Sequence, residues 1–405
     1  MIIRTKYLEA IQPFVNKPII KVITGVRRCG KSTLLIQLIN QLIDRGIGEG
    51  QIIYINKELY EFDHIKDYSQ LHDYVTARRK PKSRKYYLMV DEIQEIDNWE
   101  RSVSSLLAYG NLDIFITGSN ANLLSSELAT LISGRYVEFR MFTLNFIEFC
   151  EMFDNSFPID KKGVDKLELY LKYGGFPGLY HVEWQEEVIR HYLQAIYSTI
   201  LLKDVIMRYN IRDAALLNQV AEYLIDNTGN ITTAKSISDY LKSQRRKVYM
   251  DTIQNYIHYF MNAHMVSKVK RLDIKGKKLL ETYEKYYLSD LGFRFSLLGY
   301  PPEALPGQLE NAVFLELLQR GFRVNIGKAN GYEIDFVAER AGERFYLQVC
   351  ATLRNSSTID REYRSLEKIP DHFPKIVLSL DRGFERNRKG IAWMNLEDFL
   401  LGGKL

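Results

Sequence analysis

The chain has 405 residues, 46% of them hydrophobic and 26% charged, and carries a net charge of +5. That length allows two to four domains, and the composition is that of an ordinary globular protein. Cys29, Cys150 and Cys350 stand far apart with no metal-ligand spacing, no apolar run is long enough to span a membrane, and Met1–Lys6 opens no secretory leader. These features argue against a disulfide framework and a membrane span, and the expected compartment is the reducing cytoplasm.

In chain order, Ile19–Thr24 reads as a buried strand and Thr33–Ile39 as a helix. Between them Gly25-Val26-Arg27-Arg28-Cys29-Gly30-Lys31-Ser32 fits G-x-x-x-x-G-K-[S/T] at every fixed position, a Walker A phosphate loop. Glycine lets the backbone curl so that its N–H groups face phosphate oxygens, and the helix start adds positive partial charge. Lys31 would reach the β- and γ-phosphates, Ser32 would ligate Mg²⁺, and Gly25, Val26, Arg27, Arg28, Cys29, Gly30 and Thr33 would complete the cradle for ATP. The plainer reading, a glycine turn with a chance Lys-Ser, fits the flanking strand and helix less well.

Gln51–Asn56 is the next strand candidate, and Arg78–Lys85 is a basic loop that reads first as solvated and second as a nucleic-acid contact. Tyr86–Val90 reads as a buried parallel strand ending in Asp91-Glu92. Open α/β sheets bind ligands at the carboxyl ends of their strands, so Asp91 would hold the Mg²⁺ hydration shell and Glu92 would act as general base. Asp113–Thr117 leads into Gly118-Ser119-Asn120, where Ser119 or Asn120 would sense the γ-phosphate. Ser133-Gly134-Arg135 precedes the strand Tyr136–Arg140, and Arg135 would supply transition-state charge in cis or across a subunit interface. Strands alternating with helices argue for an α/β parallel sheet covered on both faces.

From Phe146 to Asn227 the pattern is helical, interrupted at Tyr173-Gly174-Gly175-Phe176-Pro177-Gly178, which reads as a hinge or a helix break. From Ile231 to Leu298 the order is that of a winged helix: Ala234–Leu241, a turn at Ser243–Lys247, the helix Val248–Met261, and wing strands Val266–Arg271 and Lys278–Leu288. Between Lys242 and Lys278 ten cations face two anions, so the remainder of the chain is net negative. Arg245, Arg246 and Lys247, with Tyr249, Thr252, Gln254, Asn255 and His258, suit contacts to DNA; docking on a protein is the alternative. Pro301-Pro302 and Pro306-Gly307 read as a linker to a last α/β segment with a helix at Gln308–Gln319 and strands at Glu333–Val337, Phe345–Val349 and Ile376–Leu380.

These motifs resemble the AAA+-type P-loop ATPases of bacteria and archaea that carry a winged helix and a nuclease-like C-terminal domain. The residues that carry the likeness are Gly25–Ser32, Asp91-Glu92, Ile116–Ser119, Gly134-Arg135, Gly174–Gly178 and Glu333–Phe336. The resemblance implies an ATPase core at 1–145, a helical lid at 146–230, a winged helix at 231–300 and a restriction-endonuclease-like domain at 301–405. It also implies five parallel strands in the core, with Lys31, Asp91 and Glu92 serving ATP and Mg²⁺. The last segment resembles the PD-(D/E)XK nucleases, with Glu310 as the helix acid and Asp335 as the strand acid. On the next strand Gln348 stands where the second carboxylate belongs and Cys350 where the lysine belongs. An amide is a poor Mg²⁺ ligand and a thiol supplies no fixed cation, so this domain is expected to bind DNA or a partner without cutting, although Glu333 could join Asp335 on one strand face.

The expected function is Mg²⁺-dependent ATP binding and hydrolysis by a switch or remodeller acting on DNA, as a homo-oligomer if Arg135 acts in trans. The alternatives are an ATP-dependent nuclease and a nucleotide-controlled protein scaffold. A small-molecule kinase suits the phosphate loop alone but not the length or the later modules.

Overall fold

The computed structural model describes residues 2–80, 84–124, 132, 134–156, 164–276, 278–383 and 387–405. The chain divides into two compact units, one of residues 1–142 with 262–264 and one of 143–261 with 265–405.

The first unit is built on five parallel strands: β1 Ile20–Thr24, β2 Ile52–Asn56, β3 Tyr86–Asp91, β4 Leu112–Gly118 and β5 Tyr136–Arg140. Each falls within two residues of its expected bounds. Their order is β2-β3-β4-β1-β5, so β4 is inserted between β3 and β1. All residues of β1, β3 and β4 are buried, as continuous apolar runs in a doubly covered parallel sheet must be. One polar pair interrupts that core: Lys21 of β1 is bonded to Asp113 of β4 with neither side chain exposed. Helices Lys31–Asp44 and Trp99–Ala108 bury apolar faces formed by Leu34, Leu35 and Leu38 and by Trp99, Val103 and Leu106.

The second unit begins with helices Phe146–Ser156, Lys166–Tyr173 and Glu186–Thr199, the last running into a π-helical stretch at Ile200–Met207. The Tyr173–Gly178 motif is held as a staple. Gly174 has φ 75°, and a Cβ there would lie 1.9 Å from an oxygen of Asp290, so only glycine fits. The buried Asp290 carboxylate accepts the N–H groups of Gly175 at 2.8 Å and Gly292 at 2.9 Å, while the Gly175 carbonyl accepts Leu144 N–H at 2.7 Å. Phe176 packs edge-on against Phe293 and Tyr173 against Phe295.

Next come helices Ala214–Asp226, Ala234–Ser243 and Met250–Asn262, with strands β6 Ile231–Thr232, β7 Val266–Asp273 and β8 Lys278–Leu288. Thr233 starts its helix with a reciprocal capping box to Ser236. Strands β9 Arg323–Ala329, β10 Tyr332–Arg340, β11 Glu343–Val349, β12 Lys375–Ser379 and β13 Ala392–Asn395 follow. They join the hairpin in one eight-stranded sheet, β13-β12-β11-β10-β9-β7-β8-β6, because β7 pairs in parallel with β9. Hydrogen bonds therefore cross the 300/301 boundary read from the sequence. The expected proline linker is also corrected: Pro306 and Gly307 lie in the first turn of helix Leu305–Gln319, where a missing N–H costs nothing.

Candidate functional site at the carboxyl edge of the parallel sheet

Gly25 leaves β1 with φ 152°, and a Cβ there would stand 2.3 Å from the carbonyl oxygen of Met141. Arg28 at φ 69° and Gly30 at φ 104° complete the curl, and Lys31 opens the helix. The Arg4 guanidinium ties this loop down, donating to the carbonyls of Cys29 at 3.3 Å and Phe142 at 3.0 Å. No local motif marks Arg4; its role depends on contacts 25 and 138 residues away in sequence.

Lys31 is buried, with Nζ 3.2 Å from the Gly25 carbonyl, 3.4 Å from that of Val26 and 3.5 Å from Glu92. Burial works against the ammonium, but Glu92, and to a lesser degree Cys29 and Asp91, hold its pKa above the ordinary lysine value. Asp91 is fully buried and accepts the Thr117 hydroxyl through Oδ1, while Oδ2 has no hydrogen-bond partner among the described residues. Burial raises its pKa, opposed by the neighbouring Ser32 and Thr117 hydroxyls.

Glu92 sits at φ 54°, ψ 53°, a left-handed conformation that is costly for a non-glycine residue and typical of functional turns. Its N–H donates to Thr117 Oγ1 at 3.0 Å. Gln94 donates to its carboxylate and lies 3.5 Å from Ser119 Oγ. Burial would raise the Glu92 pKa, but Lys31 and Arg27 outweigh it and bring it down to about 2. The carboxylate is therefore ionised at neutral pH.

The order β3-β4-β1 thus brings Lys31, Ser32, Asp91, Glu92 and Ser119 together, with Asn120 buried beside them. Arg135 is not among them. Its carbonyl accepts Ile20 N–H at 2.8 Å, at the start of β1, and its side chain is exposed. The phosphate loop leaves the other end of that strand, roughly 15 Å away at ~3.3 Å per residue. Ser133 lies outside the described residues. At the near end, in register with Thr24, stands Arg140. His264, also missed in the sequence, is buried in this unit with Nε2 lacking a partner among the described residues. Burial, helped by Arg140 and Lys31, lowers its pKa to about 3, so it is neutral.

In the second unit Arg245 and Lys247 are exposed. Arg246 is not free: it forks onto Asp213 at 2.6 and 2.7 Å and onto Gln219 at 2.7 Å. Gln254, Asn255 and His258 lie on the exposed face of their helix, and Tyr249 is 78% exposed. Glu310, Glu333 and Asp335 do converge, around Lys285 of β8. No helix of the described residues is long and apolar enough to cross a membrane.

A buried lysine at the head of a helix, a glycine-curled loop before it and an acidic pair at the end of β3, one strand removed from β1, define a P-loop nucleotide-binding unit. A family model described as an AAA domain matches residues 17–150, and one described as a domain of unknown function, DUF8612, matches 164–304. An uncharacterized protein of Haemophilus influenzae is 38% identical over 402 residues, covering 99% of both chains. Uncharacterized protein MJ1544 of Methanocaldococcus jannaschii is 33% identical over 388 residues, covering 91% of this chain and 83% of its own. The chain belongs to the family of these two proteins, and its residues 17–150 form an AAA+ P-loop ATPase domain. Among solved structures, the Walker-type ATPase paby2304 of Pyrococcus abyssi shares the fold over 73% of this chain and 95% of its own, with a TM-score of 0.50 and 16% identity.

Proposed function

We propose that the protein is a Mg²⁺-dependent ATP hydrolase that works as a cytoplasmic switch or remodeller on DNA. The observation that carries this is the meeting of Lys31, Asp91, Glu92 and Ser119 at one edge of the sheet, with Glu92 ionised. Glu92 would orient a water and accept its proton as the water oxygen bonds to the γ-phosphorus and the bond to the ADP oxygen breaks. Lys31 and the N–H groups of residues 25–33 would neutralise charge on the β- and γ-oxygens. Ser32 and Asp91 Oδ2, which has no hydrogen-bond partner among the described residues, fit a hydrated Mg²⁺, which would supply further positive charge at those oxygens. Ser119 would hold the water or sense the γ-phosphate. Arg135, at the far end of β1, would reach a phosphate only from a neighbouring copy, which makes a homo-oligomer part of that role.

The DNA half of the proposal is supported by the sheet order β7-β8-β6, with β6 before two helices and the β7–β8 hairpin after them as in a winged helix, and by the exposed Arg245 and Lys247. The test is ATP turnover with Mg²⁺, with and without duplex DNA, against Glu92→Gln. Stimulation by DNA that is lost in the variant supports the whole reading. Glu92-dependent turnover indifferent to DNA leaves the hydrolase and replaces DNA with a protein partner.

A further inference from the structure

The carboxylates of the nuclease-like segment meet a cation that the sequence motif does not contain. Lys285 stands on β8, about 25 residues ahead of the first of them. Its Nζ lies 2.9 Å from Glu333, 3.1 Å from Glu310 and 3.8 Å from Asp335. The lysine side chain is 4% exposed, Asp335 9%, Glu310 16% and Glu333 32%.

We infer that the Lys285 ammonium is the resident cation of this carboxylate nest, standing where a divalent metal would have to bind, so that the nest is a structural joint and not a hydrolytic centre. Three observations carry the inference. The ammonium lies within ion-pairing distance of all three carboxylates at once, and a Mg²⁺ ion needs about six oxygens at ~2.1 Å around the same point. Two of the acids have further partners: the Glu310 oxygen facing Lys285, Oε2, also accepts the Tyr287 hydroxyl at 3.0 Å, and the second oxygen of Asp335, Oδ2, accepts Val349 N–H at 2.8 Å. Gln348, in the place of a metal-binding acid, turns its oxygen to the Asp335 N–H at 3.3 Å. Among the described residues no group of three His, Cys, Asp or Glu side chains is arranged to hold a metal.

The electrostatics agree with this geometry. Burial disfavours the ammonium, but Glu310, Asp335 and Glu333 outweigh it and raise the Lys285 pKa above the ordinary lysine value. Burial, with Glu310 nearby, raises the Asp335 pKa well above the ordinary aspartate value, and Lys285 and the Val349 N–H oppose that rise. The joint fastens three elements: the hairpin strand β8, helix Leu305–Gln319 and strand β10. This inference does not depend on the ATPase reading.

The test uses the full chain without nucleotide and counts bound Mn²⁺ by electron paramagnetic resonance, alongside thermal melting. Wild type and Asp335→Asn should bind the same number of Mn²⁺ ions. Lys285→Ala should melt on the order of 10 °C lower, because the carboxylates lose their counter-charge. It should also take up one additional Mn²⁺, which recovers part of the melting loss and disappears in Lys285→Ala/Asp335→Asn. A folded Lys285→Ala that takes up no additional Mn²⁺ overturns the stand-in. Should Lys285→Ala fail to fold, wild type against Asp335→Asn decides alone. An Mn²⁺ ion held by wild type and lost in Asp335→Asn overturns the inference. So does Mg²⁺-dependent cleavage of plasmid DNA by wild type that Asp335→Asn abolishes, which would make Lys285 the relocated lysine of a working nuclease.

Discussion

Lys31 and Lys285 are both buried lysines facing acids on an α/β sheet, yet one site is arranged to receive a ligand and the other to do without one. Lys31 rests on two backbone carbonyls and one carboxylate, and beside it an oxygen of Asp91 has no partner among the described residues. Its loop is curled at Gly25 and Gly30, both at positive φ. Lys285 stands within a strand with three carboxylates around it, and two of those acids, Glu310 and Asp335, have further partners in Tyr287 and Val349. What separates a binding site from a joint here is spare hydrogen-bonding capacity, not residue type.

The largest expected effect breaks the symmetry of the two lysines. Lys31→Ala should lower ATP turnover at least about 100-fold, since it removes charge aimed at phosphate. It should lower the melting temperature less than Lys285→Ala, since it leaves one close carboxylate without its counter-charge and not three. Lys285→Ala should do the reverse; equal losses of turnover in both would end the distinction. Next, Glu92→Gln should cut turnover by roughly 10²–10⁴ and leave binding of a fluorescent ATP analogue within a few fold, measured by titration. A weakened affinity of the same size would make Glu92 a binding group instead.

The pH dependence sharpens the same contrast. The Glu92 pKa is depressed in the fold to about 2, so its contribution to stability is full above the ordinary glutamate pKa and fades as pH falls toward about 2. The Asp290 pKa is raised by burial to about 6, against the pull of the Gly175 and Gly292 N–H groups. Its contribution is full below the ordinary aspartate pKa and is lost as pH rises through about 6. Melting followed from pH 3 to 8 should show Asp290→Asn flattening the upper part of the profile and Glu92→Gln the lower. Asp290→Ala, which orphans two buried N–H groups, should cost about 2–5 kcal/mol in chemical denaturation.

The smallest effect concerns DNA. Arg245→Ala with Lys247→Ala should weaken duplex binding and lower the salt slope by ~2, as expected for two lost phosphate contacts. Arg246→Ala should lower the melting temperature through the lost Asp213 fork; an Arg246 effect on DNA without one on melting would reassign it to the interface.

Much of the nucleotide-binding unit was legible because it is written locally. Buried parallel strands are apolar runs, and the phosphate loop is a contiguous motif. The placement of Arg135 was legible in principle: strands running parallel put the residue before β5 beside the start of β1, away from the loop. Strands β9 and β13 were missed. The first, Arg323–Ala329, mixes charges with a glycine, and the second is four residues long. Arg4 and Lys285 act through partners far away in sequence, and periodicity carries no trace of such contacts. The linker was misread because proline is as compatible with a helix start as with a loop.

The pairing of β7 with β9 has a consequence for anyone dividing the gene. A fragment ending near residue 304, where the DUF8612 match stops, would lose the β7–β9 pairing and the Glu310, Glu333 and Asp335 carboxylates together. It would present a raw strand edge and a buried ammonium with no counter-ion, the combination that drives recombinant fragments into inclusion bodies. The hairpin and the C-terminal strands have to be cloned, exchanged and inherited as one piece.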